Sequence, residues 1–320
     1  MTDPADAPPP TLAATGDTYR WHDDFVTLPP SSRSNGRTHA AAELADGRIV
    51  VFHQADPAVL VCGPDGRVEQ MWGDYVGAHG MTLLQKDGGT QTLLVTDQNT
   101  GAVCEHTPDG GLVREVPPPP AEQVEGGAYM PTWAAVGPDG STWVADGYGS
   151  SLVFRFDAEG RCVDRLDGAS HGGVGRFDCP HGIGFDPNGR LWIADRGNRR
   201  VVIADADGGY LTHSDTACHS PCMFAFHGGR VYVPELHTGV KVLTPELEVQ
   251  GDLGVDRSIA EAKTLGTPAP EHWPDMPRAR LAPGRFHTPH GLCVCADGSL
   301  IVCEWIAGGR ITKLERVAGG

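Results

Sequence analysis

At 320 residues with 40% hydrophobic content, the chain is long enough to bury one large β domain or two ordinary ones. A formal charge of -16, from 25 Lys and Arg against 41 Asp and Glu, excludes the clustered basic face that nucleic acid or another polyanion requires. Nine cysteines at irregular positions, several inside apolar runs such as "LCVCADGSLIVC", read as reduced, buried thiols and exclude a disulfide framework.

The start, "MTDPADAPPP", is acidic and Pro-rich, so residues 1–17 are expected to form a disordered tail. It has no apolar run of secretory type and no later stretch reaches membrane-spanning length, so the expected setting is cytoplasmic, without a membrane partner. Next comes "YRWHDDFVTL" (19–28), which precedes the first of a series of repeats and is suited to closing a ring of them as an outer strand.

Six related units follow: "GRTHAAAELADGRIVVFHQ" (36–54), "VGAHGMTLLQKDGGTQTLLVTD" (76–97), "YMPTWAAVGPDGSTWVADG" (129–147), "GRFDCPHGIGFDPNGRLWIAD" (175–195), "HSPCMFAFHGGRVYVPE" (219–235) and "GRFHTPHGLCVCADGSLIVCE" (284–304). Each has an apolar run, an Asp-Gly or related turn, and a second run, which is the pattern of a hairpin closed by residues at positive φ. A third and often a fourth strand follow, as in "RVVIADADGG" after Arg196. Four antiparallel strands recurring roughly every 40 to 50 residues predict propeller blades. The expected fold is therefore all-β, a single six-bladed propeller over 18–316 around a central channel. The 43 Gly and 26 Pro suit its many turns.

The first-strand anchors are His39, His79, Thr132, His181, Cys222 and His290, at intervals of 40, 53, 49, 41 and 68 residues. The long last interval holds an excursion over one face, with a short helix expected at "EAKTL" (261–265). In a propeller the innermost strands line the channel, so His79, His181 and His290, on alternate blades, stand about 120° apart and converge on the axis. Three imidazoles with an open position suit a catalytic zinc ion, or copper or iron, since imidazole accepts all of them. The duller alternative is that each His bonds a neighbouring carbonyl as part of the repeat. His39 and Cys222 occupy two further anchors, from which they approach either metal or substrate.

The hairpin returns the end of the second strand to the start of the first, which puts Arg196 on the His181 rim. The same position holds Tyr148 in "ADGYG", Gln98 in "TDQNTG", Gln54 in "FHQAD", Leu236 or His237 in "PELHTG", and Trp305 in "CEWIAGG". Tyr148 reads either as a catalytic group or as an aromatic cap on a blade edge. Glu235 and Glu304 replace the Asp of "AD" and are expected to bind loop amides. Trp133, Trp143 and Trp192 are expected to pack between blades.

"PHGIGFDPNGRLWIADRGNRRV" and "VADGYGSSLVFRFDAEG", with support across about residues 36 to 316, resemble the NHL-repeat propellers and, within them, the peptidyl-α-hydroxyglycine α-amidating lyases. The resemblance implies a zinc-dependent lyase that splits an α-hydroxyglycine N–Cα bond into amide and glyoxylate. His79, His181 and His290 would hold the metal, Tyr148 would be the base and Arg196 a substrate or Tyr partner. His39, Gln54 and Cys222 would then face the small-molecule substrate. This chain departs from the family pattern at Gln54, where the first blade has an Arg, and at Gly291, where an Asp binds structural calcium. Two other functions stay open: a propeller hydrolase of the lactonase type, whose metal is held by acids and Asn, and a non-enzymatic NHL propeller that binds protein.

Overall fold

Blade 4 shows how the repeat folds. Its first strand, Pro180–Phe185, turns back where Asp186 N–H donates to Arg190 O at 3.0 Å, while Gly189 at φ 77° closes the loop. The return strand, Leu191–Asp195, pairs Phe185 with Leu191 and Pro180 with Asp195. Arg200–Ala204 and Tyr210–Ser214 complete the sheet.

The computed structural model describes residues 10–265 and 273–317. The same four-strand order recurs in blade 1 (Thr38–Glu43, Ile49–His53, Val59–Cys62, Val68–Trp72), blade 2 (Ala78–Gln85, Gln91–Asp97, Ala102–His106, Leu112–Val116) and blade 3 (Trp133–Val136, Thr142–Asp146, Leu152–Phe156, Cys162–Leu166). Blade 5 comprises Ala225–His227, Arg230–Pro234, Val240–Leu243 and Val249–Leu253. The predicted all-β six-bladed propeller is the observed fold.

The burial pattern follows from stacking the blades. Second strands such as Leu191–Asp195 and Leu300–Glu304 are buried along their whole length, because neighbouring blades cover both of their faces. Outer strands such as Val68–Trp72 alternate, with one face reaching solvent. Trp133, Trp143 and Trp192 are buried in the packing between blades, as expected.

Blade 6 joins the two ends of the chain. Pro289–Val294, Leu300–Glu304 and Arg310–Val317 are followed in space by Asp17–His22, with Tyr19 opposite Arg316 and Trp21 opposite Leu314. The segment expected to close the ring does so. The expected tail over 1–17 is shorter than its composition suggested, since Thr11–Ala14 adds a fifth strand against Asp17–His22. Leu12 and Ala14 pack on the core, and the Asp17 carboxylate is held by Arg230 of blade 5 and, at 2.7 Å, by Arg316. Residues 1–9 lie outside the described residues. In the excursion, the helix expected at 261–265 is the second half of Arg257–Leu265. No helix among the described residues is long and apolar enough to cross a membrane.

Just beyond the anchors in sequence, Met81, Ile183, Met223 and Leu292 are buried. These four line a cavity of about 780 Å³ together with Leu83, Phe185 and Val294, and none of the anchor histidines line it.

Candidate metal centre

The anchors meet on the axis as the blade arithmetic requires. His39, His79, His181 and His290 are all at most 1% exposed. Their ring centroids lie 4.6 Å (His39 to His290), 4.7 Å (His79 to His181), 4.8 Å (His181 to His290) and 4.9 Å (His79 to His290 and to His39) apart. Each even-blade imidazole is braced by the blade that follows it. Nδ1 of His79 lies 2.7 Å from Thr132 O, Nδ1 of His181 lies 2.8 Å from Cys222 O, and Nδ1 of His290 lies 3.1 Å from His39 O. The acceptors are the anchor carbonyls of blades 3, 5 and 1. Carbonyl bonding and convergence on the axis, set against each other by the sequence, are therefore two ends of one ring.

A glycine follows each of these histidines because the next blade comes too close for a side chain. A Cβ on Gly182 would stand 2.1 Å from Cys222 O, and one on Gly291 would stand 2.0 Å from His39 O. Gly291, a departure from the family pattern, thus repeats the role of Gly182. The same position leaves no carboxylate for a calcium ion.

The bracing fixes the tautomers. A carbonyl only accepts, so each Nδ1 carries the proton and each Nε2 presents a lone pair. His79 Nε2 and His181 Nε2 nevertheless face each other at 3.2 Å. Tyr148 Oη is 3.2 Å from the first and 3.1 Å from the second, yet its single proton serves only one of them. His290 Nε2 and His39 Nε2 have no hydrogen-bond partner among the described residues. Burial holds the imidazoles of His79, His181 and His290 well below their ordinary pKa and pulls His39 down to about 3, so protons do not fill the gap. Converging buried lone pairs without donors are costly, and a cation relieves them. The donor set fits a transition metal: ligand atoms of His39, His79 and His290 lie within 4.8 Å of one another, as do those of His181, Cys222 and His290.

Tyr148 reaches the axis from blade 3. It stands one residue beyond the position of Arg196, because Gly147 takes that position and a Cβ there would meet Pro180 O of blade 4 at 2.5 Å. Its ring is 37% exposed at the channel mouth, with the hydroxyl turned in. Arg196 Nη2 donates to that hydroxyl at 3.0 Å and to Cys179 Sγ at 3.4 Å. Burial raises the phenol pKa, and the guanidinium opposes it without overcoming it.

The other predicted residues divide. Gln54 is half-buried at the rim, and its backbone N–H donates to Arg37 O at 2.9 Å. His53, its neighbour, is consumed by Ser32 Oγ at 2.7 Å and Ala58 O at 2.9 Å. Glu304 accepts from His287 N at 2.6 Å and Thr288 N at 3.2 Å, while Glu235 accepts from Ser220 N and His219 N, so both bind loop amides as expected. Asp97, Asp146 and Asp195 do the same in blades 2, 3 and 4. Arg37 was not singled out from the sequence. Its guanidinium lies 4.2 Å over Trp305 and grips Asp275 of the excursion with two bonds, at 2.6 and 3.0 Å. The signal was positional: Arg37 precedes its anchor by two residues, as Cys179 does, and each accepts at its carbonyl from the residue just after the second strand, Gln54 or Arg196.

The NHL repeat model matches residues 177–204, the unit centred on His181 and Arg196. NHL repeat-containing protein 3 of Mus musculus is 28% identical over 184 residues, 53% of this chain and 52% of that protein. Its Homo sapiens counterpart is 26% identical over 185 residues with the same coverage, so the chain spans about half the length of the curated relatives it matches. Among solved structures, a streptogramin B lyase superimposes with a TM-score of 0.61 at 14% identity, over 96% of this chain and 100% of that one. XC5397 of Xanthomonas campestris, described as a gluconolactonase, gives 0.63 at 15% identity, over 98% and 96%. At these identities the shared property is the propeller fold. The chain carries an NHL repeat within it, and the finer likeness to amidating lyases rests on the motifs alone.

Proposed function

We propose that the chain is a metal-dependent lyase acting on a small α-hydroxylated, carboxylate-bearing substrate at the channel mouth. The observation that carries this reading is the convergence of buried, proton-free Nε2 atoms on Tyr148 Oη, which Arg196 holds from the other side. His79, His181 and His290 would hold a zinc-class ion, which when bound polarises a substrate hydroxyl. Tyr148 accepts the hydroxyl proton and returns it to the leaving nitrogen, as the C=O bond forms and the C–N bond breaks. Arg196 favours the phenolate form of Tyr148 and offers its remaining N–H groups to the substrate carboxylate. A lactonase-type centre built from acids is less well supported, because Asp97, Asp146, Asp195, Glu235 and Glu304 are already engaged by backbone amides.

The test begins with elemental analysis of protein purified without a His tag or added metal. Near-stoichiometric zinc that is lost in His181→Ala supports the centre, and a metal-free, folded wild type overturns it. Glyoxylate release from α-hydroxyhippurate then tests the reaction. A zinc-loaded protein that releases none is not an amidating lyase of this type, and lactone hydrolysis by the same sample would move it to the hydrolases.

A further inference from the structure

The ring of anchors is not chemically threefold. Between the even-blade histidines stand His39, Thr132 and Cys222, and of these only Cys222 offers a soft, anionic donor. Resting on the zinc-class centre proposed above, we propose that Cys222 is a fourth ligand, closing a centre of three imidazoles and one thiolate in the substrate-free protein.

Four observations carry the assignment. Cys222 is fully buried, and its Sγ lies within 4.8 Å of ligand atoms of both His181 and His290. Its Sγ makes a long hydrogen bond to Ser220 O at 3.6 Å and lies beside the Arg196 guanidinium, whose positive charge favours a thiolate against the opposing effect of burial. The partner ligand on that side, His290 Nε2, is buried and has no hydrogen-bond partner among the described residues. Finally, Cys222 is fixed to the ring through its own backbone, because its carbonyl is what braces His181. The ligand and the group that orients its neighbour are one residue.

Charge argues the same way. Three neutral imidazoles leave a divalent ion uncompensated in a buried site, whereas a thiolate removes half of that charge. The thiol proton leaves to solvent as the sulfur binds, so metal uptake releases a proton. Sulfur ligation also selects the metal. It favours zinc or cobalt over magnesium or calcium, which prefer oxygen donors. A site closed by four protein ligands would have the ligand count of a structural zinc site.

Cobalt(II) reports sulfur ligation directly, through a near-ultraviolet sulfur-to-cobalt charge-transfer band separate from the visible d–d bands. The untagged full chain loaded with cobalt is expected to show both. Cys222→Ser, and Cys222→Ala should the first variant fold poorly, are expected to keep the d–d bands and lose the charge-transfer band. Cys179→Ser, which alters the other thiol beside Arg196, is expected to keep both. Stoichiometric cobalt with d–d bands but no charge-transfer band in wild type overturns the thiolate and leaves the histidine centre standing, as does a band that survives in both Cys222 variants. A protein that takes up no cobalt overturns both.

Discussion

His290 reaches across the seam between the last and first blades and places Nδ1 3.1 Å from the carbonyl of His39, 251 residues earlier in the chain. The same imidazole offers Nε2 to the axis. In the proposed centre, metal binding and ring closure would share a residue, and an ion that binds only the folded ring would stabilise it by mass action. At zinc 100-fold above its Kd, the unfolding free energy is expected to rise by about 3 kcal/mol over the chelated protein. Thermal or urea unfolding of His290→Ala with and without zinc checks this. A variant that gains as much from zinc as wild type removes His290 from the centre.

Stability of the metal-free protein should depend on pH with a definite sign. Burial lowers the folded-state pKa of His39 from 6.5 to about 3, and lowers those of His79, His181 and His290 well below 6.5. In the unfolded chain these imidazoles take up protons below about pH 6.5, so the folded state binds fewer protons there. The stability they contribute is present above that pH and is lost as pH falls toward the folded values. Each adds a slope of up to about 1.4 kcal/mol per pH unit. Urea midpoints between pH 7 and pH 4 measure it, and a flat profile for the metal-free protein contradicts neutral, buried imidazoles.

Gly182→Ala should cost more than its size implies. The new methyl would stand 2.1 Å from Cys222 O and 2.6 Å from Met223 Cα, both backbone atoms, so blades 4 and 5 must part. A loss of about 2 kcal/mol, with weakened metal binding, is the expected result. Gly184→Ala is the control, since its nearest contact is a Phe226 ring carbon at 3.5 Å. That change should stay within about 0.5 kcal/mol of wild type by chemical denaturation.

Tyr148 and Arg196 should separate kinetically. Tyr148→Phe removes the proton acceptor and keeps the ring, so kcat is expected to fall by about 10²- to 10⁴-fold with metal content unchanged. Arg196→Lys keeps the charge and loses the planar fork, so KM for a carboxylate substrate should rise along with any loss in kcat. Steady-state kinetics with zinc-loaded protein decides both. Full activity in Tyr148→Phe would reduce Tyr148 to an aromatic cap.

The architecture was legible because each blade restates it. The "GRFxxPHG" pair fixed the anchors of blades 4 and 6, and the Asp-Gly turns fixed the hairpins. Two classes of feature were not legible. One is contact between blades: the carbonyl that braces each histidine belongs to the next repeat, up to 251 residues away, and no pattern within a repeat announces it. The other is single-residue offset, as at Tyr148, where Gly147 yields to the Pro180 carbonyl and shifts the side chain that reaches the axis. Arg37 escaped notice for a related reason. It lies before its anchor strand, whereas the repeat pattern marks the rim only at the ends of second strands.

Met81, Ile183, Met223 and Leu292 are buried and line a cavity from which the anchor histidines are absent, so the histidine centre is reached from the Tyr148 side and not through that cavity. Whatever enters over Tyr148 must leave past it. For the proposed lyase, the later of the two products to depart would block the next arrival, so competitive product inhibition would follow from the propeller's shape, whichever bond is broken at the axis.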